Sequence, residues 1–341
     1  MVTTDYTRFI NRNSFEEPTH TLEVIDTLIS RLYLTDDFVY KTKKPVDLGF
    51  CDYQKISSRK LFCLGELSKN SLLSPDLYVH VLPVTEKHGT VLFGSNTGNI
   101  VDYALKMVRL EEKDKLSIVL KRKKVGRKFF VALGKQLAHF HQVLKAEKTG
   151  RFGGYRSVKK FWQQNFDQTE KFVGVFISSP DYKRLKESVH LFLDNNRSLF
   201  DNRVKKGRIR DGHGDLHTGN IFVGRKGSRT FPVIFDAIEF NKELSCLDCA
   251  ADIAFLSMDL KYLGRCDMAK ILIASYLKET ADYEIVSSGL LRFYEAYRAF
   301  IRGKVALMRS DSFNLSVKER GKLVKEAKNY FKLSARIIYN E

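Results

Sequence analysis

What this chain of 341 residues has little of narrows its function before any motif is read. Nowhere do about 18 apolar residues run without a charge, so no transmembrane helix is expected. The opening MVTTDYTRFINRNSFEE has no uninterrupted apolar core of a secretory signal. A cytoplasmic protein without a membrane partner is the expectation. Cysteine is sparse: Cys51, Cys63, Cys246, Cys249 and Cys266 are odd in number and scattered, which excludes a disulfide framework and predicts reduced thiols. With only 6 prolines, 43% hydrophobic residues and no low-complexity tract, the chain reads as folded rather than disordered. Acid is short against base, 40 Asp and Glu facing 58 Lys and Arg, and the net charge of +18 draws anions such as nucleotides, phosphorylated metabolites, nucleic acid or acidic lipid, if it serves more than solubility. There is no GxxxxGK(S/T), so no P-loop, and neither a GxSxG elbow nor an HExxH zinc motif.

What is present falls into two parts of different period. A length of this order favours two compact units. Between residues 20 and 60, LISRLYL, a turn at Thr35-Asp36-Asp37 and FVYKTKKP ending at Pro45 read as two paired strands. In the second, alternation puts Val39, Lys41 and Lys43 on one face and Phe38, Tyr40 and Thr42 on the other. From Ile56 to Leu73 a helix is expected, capped by Ser57 or Ser58, with its apolar stripe on Leu61, Cys63 or Leu64, Leu67 and Leu72 and with Glu66 off the centre of that stripe. DLYVHVLPV and IVDYALKMVRL are strand-like around GSNTGN. The charged segment Glu111 to Lys115 marks the boundary between a first lobe, 1–110, and a second, 111–341. Beyond it FFVALGKQLAHFHQVL and stretches near 157–173 and 181–200 have helical spacing. IFV and FPVIFD form a hairpin around GRKGS, and LDCAADIAFLSMDLKYL, MAKILIASYLKET and GLLRFYEAYRAFIRGKVALMR are helical. No repeat of 20 to 50 residues is present.

The chemistry concentrates in HGDLHTGN, residues 213 to 220. His213 and His217 have the spacing of two ligands on one helical face, but Gly214 and Gly219 disfavour a helix there, which weighs against zinc. A hydrolase has no nucleophile motif to work with. The pattern HxDxxxxN, followed by Asp236 at the end of a strand, uses every polar residue and suits phosphoryl transfer from a nucleotide. Asp215 would accept or orient the acceptor hydroxyl proton. Asn220 and Asp236 would supply oxygen ligands to Mg²⁺, and the hairpin between them would return Asp236 to within reach of Asn220.

HGDLHTGN with VIFDAIEF and CLDCAADIAFL resembles the catalytic loop and metal-binding strand of the aminoglycoside phosphotransferase branch of the protein-kinase-like fold. VYKTKKPVDLGFCDY, ELSKNSLLSPDLY, FDAIEFN and LLRFYEAYRAFIRGKVALMR are more closely similar to bacterial proteins in which this kinase-like region often precedes a P-loop ATPase domain. The resemblance runs from about residue 20 to 335. It implies an α+β, bilobal protein-kinase-like fold with a small antiparallel-sheet first lobe and a mainly helical second lobe. The implied activity is ATP- or GTP-dependent transfer of the γ-phosphoryl group to a small-molecule hydroxyl, with Mg²⁺ and with a P-loop ATPase partner encoded separately. Position by position, the resemblance makes Asp215 the catalytic aspartate and Asn220 with Asp236 the metal ligands. It makes Lys41 the lysine on the nucleotide phosphates, with Lys43 the competing choice, and Glu66 the ion-pair partner of that lysine. Met107 to Leu110 become the segment whose backbone reads adenine. Val39, sharing a face with Lys41, would pack on the base.

Other residues carry two readings each. His217 stands where protein kinases have a lysine and would approach the transferring phosphoryl group, or pack locally. His213 would brace the loop, and Asp252 would anchor it or act as a cap. Glu239 would reach a second metal or the substrate, or form a solvent-exposed salt bridge. Arg298 and Arg302 would line the acceptor site or pair on the surface. Cys246 and Cys249 read as buried structural thiols. KRKKVGRK (121–128) and RVKKGRIR (203–210) suggest an anionic acceptor or a weak nucleic-acid contact, although they lack interleaved aromatics. Two departures stand out. The turn at residues 35–37 is not glycine-rich, and a basic chain disfavours a polycationic aminoglycoside as acceptor. A different class stays open, a catalytically idle nucleotide-binding regulator or nucleic-acid-binding module on the same fold.

Overall fold

The structure, a computed structural model, describes residues 6–49, 51–122, 125–311 and 315–339. They form two compact units. The first comprises 1–119, 220–228 and 232–241, and the second 120–219, 229–231 and 242–341. The first unit thus runs past residue 110 and takes back the hairpin segment that follows the 213–220 loop.

In the first unit the alternating segments become β1 (Glu23–Asp26), β2 (Ser30–Leu34), β3 (Phe38–Lys43), β4 (Tyr78–Lys87), β5 (Thr90–Phe93) and β6 (Asn99–Val108). They build one antiparallel sheet in the order β1-β2-β3-β6-β4-β5. Because side chains alternate, β3 feeds two cores. Tyr40 joins Phe15, Tyr33, Leu82, Val84, Phe93 and Ala104 on one face. Val39 joins Leu105, Met107, Tyr78 and Cys63 on the other. Lys41 lies on the Val39 face, opposite Leu32 on one side and Leu105 on the other.

Helix α1 (Ile56–Ser71) covers that face with only part of the expected stripe: Cys63 is buried in the core and Leu67 packs against it. Leu61 is 67% exposed, and Leu64 and Leu72 are exposed as well. The buried side is Arg59, Cys63, Glu66 and Asn70. These recur at helical spacing, so the periodicity is right, while three of the four buried positions are polar. The cause is the company they keep: Arg59 is neutralised by Asp102 at 2.7 Å, and Glu66 and Asn70 serve the charged cluster described below. The helix starts after Lys55 with no side-chain cap, not on Ser57 or Ser58.

A short helix α2 (Leu116–Val119) closes this stretch of the unit. The second unit then runs through α3 (Arg127–Val143), α4 (Tyr155–Thr169), α5 (Ser179–Asn195) and α6 (Arg197–Lys205). The single helix expected near 181–200 is broken at Asn196, whose φ of −118° and ψ of 22° leave the helical region. Strand β7 (Ile209–Asp211) leads to the 213–220 loop, followed by the two-stranded β8 (Ile221–Lys226) and β9 (Arg229–Ile234). After a helical turn α7 (Lys242–Ser245), strand β10 (Cys246–Asp248) pairs with β7. Cys246 is therefore the first residue of a strand and Cys249 the first of a helix, both buried and in no disulfide.

Helix α8 (Cys249–Tyr262) is capped by Asp248, whose side chain accepts from the Ala250 N–H, and is buried from Cys249 to Leu260. It packs among α9 (Cys266–Thr280), α11 (Leu290–Ser310) and α12 (Val317–Tyr339), with a short α10 (Glu284–Ser287) before α11. Trp162 of α4 is fully buried against Phe166, Phe293, Tyr297 and Phe300. Among the described residues no helix is long and apolar enough to cross a membrane.

Candidate active site

Each unit assembles its own set of polar side chains. In the first, Lys41 Nζ lies 2.7 Å from Glu66 Oε1 and 2.8 Å from Asp236 Oδ1. Lys43 Nζ lies 2.7 Å from Glu66 Oε2 and 2.5 Å from Glu239 Oε1. Glu66 is thus shared by two lysines of one strand face, which is why the helix side that carries it is buried. The two lysines differ in access. Lys43, Glu66 and Glu239 are almost wholly enclosed, whereas Asp236 is 48% exposed. Lys41 therefore bridges an enclosed carboxylate and an open one, while Lys43 is locked between two enclosed ones. Glu239 is not a solvent-exposed salt bridge.

Electrostatics follow from this geometry. Burial would raise the Glu66 carboxyl, but Lys41 and Lys43 pull it down to about 2. Glu239 is raised by burial and stays above the usual carboxylate range even beside Lys43, because Glu66 repels it. Two ammonium groups face three carboxylates here, so one negative charge is left over for a further cation.

The segment bearing Asp236 is laced to α1 and β4 by side chains. Ser74 Oγ accepts from the Ile234 N–H at 2.9 Å, and Asn70 Oδ1 from the Ala237 N–H at 2.8 Å. Tyr78 OH accepts from the Asp236 N–H at 3.1 Å, and Lys69 Nζ donates to the Ile238 carbonyl at 2.6 Å. Asp236 itself has φ 64°, the left-handed region that aspartate tolerates better than most residues. The Phe235 N–H donates to the Asn220 carbonyl at 3.1 Å, which sets the two expected metal ligands on hydrogen-bonded stretches of the same unit. Both offer oxygen, the donor that Mg²⁺ prefers, and the leftover negative charge suits a divalent cation.

Of the expected adenine segment, Met107 is buried beside Val39. The Val108 N–H is taken by the Leu77 carbonyl and the Arg109 N–H by the Asp37 carbonyl. A base would have to be read by carbonyls or by backbone beyond Arg109. The carboxylate of Asp36 is held by the N–H groups of His20 and Thr21 and by Thr21 Oγ1.

The second unit holds the loop through α8. Asp252 accepts from the His213 N–H at 2.7 Å and the Gly214 N–H at 3.0 Å, and its Oδ2 meets His141 Nε2 at 3.1 Å. Two turns along the helix, Asp259 accepts from the Thr218 N–H at 2.9 Å and from Thr218 Oγ1 at 2.6 Å. Residues seven apart share a helical face, so one buried helix grips both ends of the loop. At the first grip the chain needs glycine: Gly214 has φ 82°, and a Cβ on Gly212 would lie 2.6 Å from Asp252 Oδ2. Asp252 was anticipated as an anchor or cap, but Asp259 was missed. The available signal was a pair of aspartates at helical spacing in an otherwise apolar helix.

The loop histidines spend one ring nitrogen each on the backbone. His213 Nδ1 accepts from the Asp215 N–H at 3.3 Å and His217 Nδ1 from the Gly219 N–H at 3.0 Å. A neutral His217 then carries its proton on Nε2, which lies 3.5 Å from Asp215 Oδ2. Burial works to raise the Asp215 carboxyl, but the nearby side chains of His217, His213 and Arg298 bring it down to about 2. Burial likewise opposes the charge of His141, yet Tyr276, Cys249 and the Asp252 carboxylate hold that imidazole well above the ordinary histidine range. Among the described residues no three His, Cys, Asp or Glu side chains are arranged to hold a metal ion.

The basic runs are not continuous faces. Arg203 is fully buried, held by both oxygens of Asp248 and by Asp282. Arg210 donates to the carbonyls of Gln142 and Leu144. Lys205 joins Lys148, Arg156 and Arg197 around a cavity of about 420 Å³. In the run 121–128, Lys123 and Lys124 lie outside the described residues.

No protein-family model matches the chain. An uncharacterized protein of Mycobacterium tuberculosis is 29% identical over 289 residues, covering 84% of this chain and 55% of its own length. The chain therefore spans about half the length of the curated relatives it matches. Among solved structures, a choline kinase from Cryptosporidium parvum aligns with TM-score 0.53 and 12% identity over 94% of this chain and 89% of that one. The GDP complex of an aminoglycoside 2'-phosphotransferase IIIa mutant aligns with TM-score 0.50 and 12% identity over 92% and 93%. The chain has the α+β protein-kinase-like fold of the aminoglycoside phosphotransferase type.

Proposed function

We propose that this protein is a phosphotransferase that moves the γ-phosphoryl group of ATP or GTP to a hydroxyl of a small, non-aminoglycoside molecule. The observation that carries the reading is Lys41 suspended between enclosed Glu66 and open Asp236. A lysine whose second partner is half-exposed can exchange that partner for a nucleotide phosphate without losing the first, and Asp236 is then released for a cation. Asp236 with Asn220 would hold Mg²⁺, which would offset the charge of the phosphates. Val39 and Met107, at the edge of the same core, would meet the base.

At the acceptor end, Asp215 orients the hydroxyl and takes its proton. A carboxyl at about 2 is a weak base, which suits a loose phosphoryl transition state in which proton removal comes late and positioning dominates. His217 Nε2–H fixes the Asp215 carboxylate and has a second role open to it as a donor to the transferred group. Phosphorylated small molecules and reduced thiols are at home in the cytoplasm, where we place the reaction. The greater length of the mycobacterial relatives fits a kinase-like region that works beside a P-loop ATPase domain.

The test is nucleotide hydrolysis and transfer by the full chain. With Mg²⁺ and ATP or GTP, ADP or GDP release stimulated by a hydroxylated metabolite is expected to fall at least about a hundredfold in Asp215→Ala, with nucleotide affinity kept. Lys41→Met is expected to weaken nucleotide binding instead. If neither nucleotide stabilises the protein and Asp215→Ala changes nothing, the reading is wrong. Salt-dependent nucleic-acid binding indifferent to nucleotide would then favour a binding module.

A further inference from the structure

Three arginines are buried in the described residues, and their surroundings differ. Arg59 is neutralised by Asp102 and Arg203 by Asp248 and Asp282, as a buried guanidinium requires. Arg298, 7% exposed, has no carboxylate within ion-pair distance among the described residues. Its Nε donates to the Ala251 carbonyl at 3.2 Å. Its guanidinium plane lies 4.8 Å from the centre of the Phe255 ring, an aromatic contact that balances only part of a cation's lost hydration. Among the described residues the terminal N–H groups, the fork that grips carboxylates and phosphates in two places, meet no acceptor, and the hydrogen bond of the guanidinium runs from Nε.

Its position says what that fork is for. The Phe255 ring it covers is also in contact with His217, at 5.5 Å between centroids, and His217 Nε2 faces Asp215. One turn along α11, Arg302 lies over the Tyr330 ring. Tyr330 OH is 3.5 Å from Asp259, which holds Thr218 at the far end of the loop. The Arg302 Nε is buried without a hydrogen-bond partner, and Glu326 is 3.7 Å from its outer nitrogen. Two arginines at i and i+4 of one helix therefore each stand one side chain away from the residues that pin the 213–220 loop. They do not form a surface pair.

We infer that Arg298, assisted by Arg302, binds an anionic group on the acceptor, a carboxylate or a phosphate monoester, so that the hydroxyl to be phosphorylated is presented to Asp215. This rests on the phosphotransferase reading and names its substrate class. An anionic acceptor needs a fixed cation close to an aspartate that would otherwise repel it, and a bidentate fork also fixes orientation, the larger part of the catalytic requirement in phosphoryl transfer. A polycationic acceptor would meet two arginines.

The experiment uses the full chain with a panel of hydroxylated compounds of similar size in four charge groups: carboxylates, phosphate monoesters, neutral polyols and amines. Binding is read calorimetrically in the presence of a non-hydrolysable nucleotide, and transfer is read as ADP release. Carboxylate or phosphate members are expected to bind and to stimulate release. In Arg298→Met their affinity falls roughly tenfold to a hundredfold, the loss of a charge-assisted hydrogen-bonded contact, while nucleotide affinity is unchanged. Arg298→Lys restores part of the affinity but not the full rate, since a point charge does not orient as a fork does. Arg197→Ser, at the separate basic cavity, leaves both readouts alone. Arg302→Met, at a half-exposed position, carries the same expectation at smaller size should Arg298→Met not fold.

The inference is overturned if polyols or amines are the members that bind, if no group binds, or if Arg298→Met binds anions as the native protein does. The phosphotransferase reading fails separately, if anions bind in an Arg298-dependent way but no panel member is phosphorylated in an Asp215-dependent way.

Discussion

Glu66 and Asp252 are both buried carboxylates held ionised by their neighbours, yet each unit has solved the problem differently. Glu66 sits between two lysines, and its partners are themselves shared with Asp236 and Glu239. Asp252 sits among fixed donors, two backbone N–H groups and an imidazole that is itself hydrogen-bonded to Tyr276 at 2.8 Å. An ammonium on a four-carbon stem can change partners, while a backbone N–H cannot move without moving the loop. The first arrangement suits a group that must trade a carboxylate for a phosphate during a reaction cycle. The second suits a loop whose shape has to persist through it.

If that contrast is right, the largest loss of stability comes from the fixed site. Asp252→Ala leaves two buried N–H groups and a buried imidazolium without an acceptor, and about 3–5 kcal/mol of stability is expected to go with it. Urea unfolding followed by the fluorescence of Trp162, in the same unit, measures this. A loss below about 1 kcal/mol would mean that the loop is held elsewhere.

The two lysines of the other site then divide stability and function between them. Lys43→Met strands Glu239 as an enclosed carboxylate with no lysine, at a cost of about 3 kcal/mol. Lys41→Met leaves Glu66 with Lys43 and frees an Asp236 that already faces water, so about 1 kcal/mol is expected. Nucleotide affinity is expected to rank the other way, with Lys41→Met losing most of it and Lys43→Met keeping it at temperatures where the variant is folded. Equal effects of the two substitutions on both readouts would remove the distinction between a mobile and a structural lysine.

How much of this was legible in the sequence depended on which physical signal carried it. The 213–220 loop was legible because its residues are contiguous and its glycines argue against a helix. The shared face of Val39, Lys41 and Lys43 follows from strand parity, which needs only a period of two and does not choose between the lysines. The buried face of α1 was misread because apolar periodicity counts leucine as core, and nothing local says that Arg59, Glu66 and Asn70 will find partners on Asp102, on β3 and on the 232–241 segment. The roles of Glu239 and Arg203 were hidden for the same reason. Each is set by a partner distant in sequence, and a charged residue looks solvated until that partner is known. The break at Asn196 and the short strands β7 and β10 carry too few residues for periodicity to register.

The smallest effect tests the fixed site by proton linkage. Asp252 is depressed below its ordinary value, so its contribution is present above roughly pH 4 and lost as the pH falls through its folded value. His141 is raised, so its contribution is complete below roughly pH 6.5, the unfolded histidine value, and is lost as the pH rises toward its folded one. The pair is therefore strongest between about pH 4 and 6.5, and above that window the folded state binds one more proton than the unfolded state at this site. Stability should decline by about 1 kcal/mol from pH 6.5 to 7.5 through this single group, and His141→Gln should flatten that limb while lowering the plateau. Unfolding free energies for both proteins, compared across that interval, isolate the term. An unchanged slope in His141→Gln would mean that His141 is neutral in the folded protein, and that Asp252 is held by the backbone N–H groups of the loop alone.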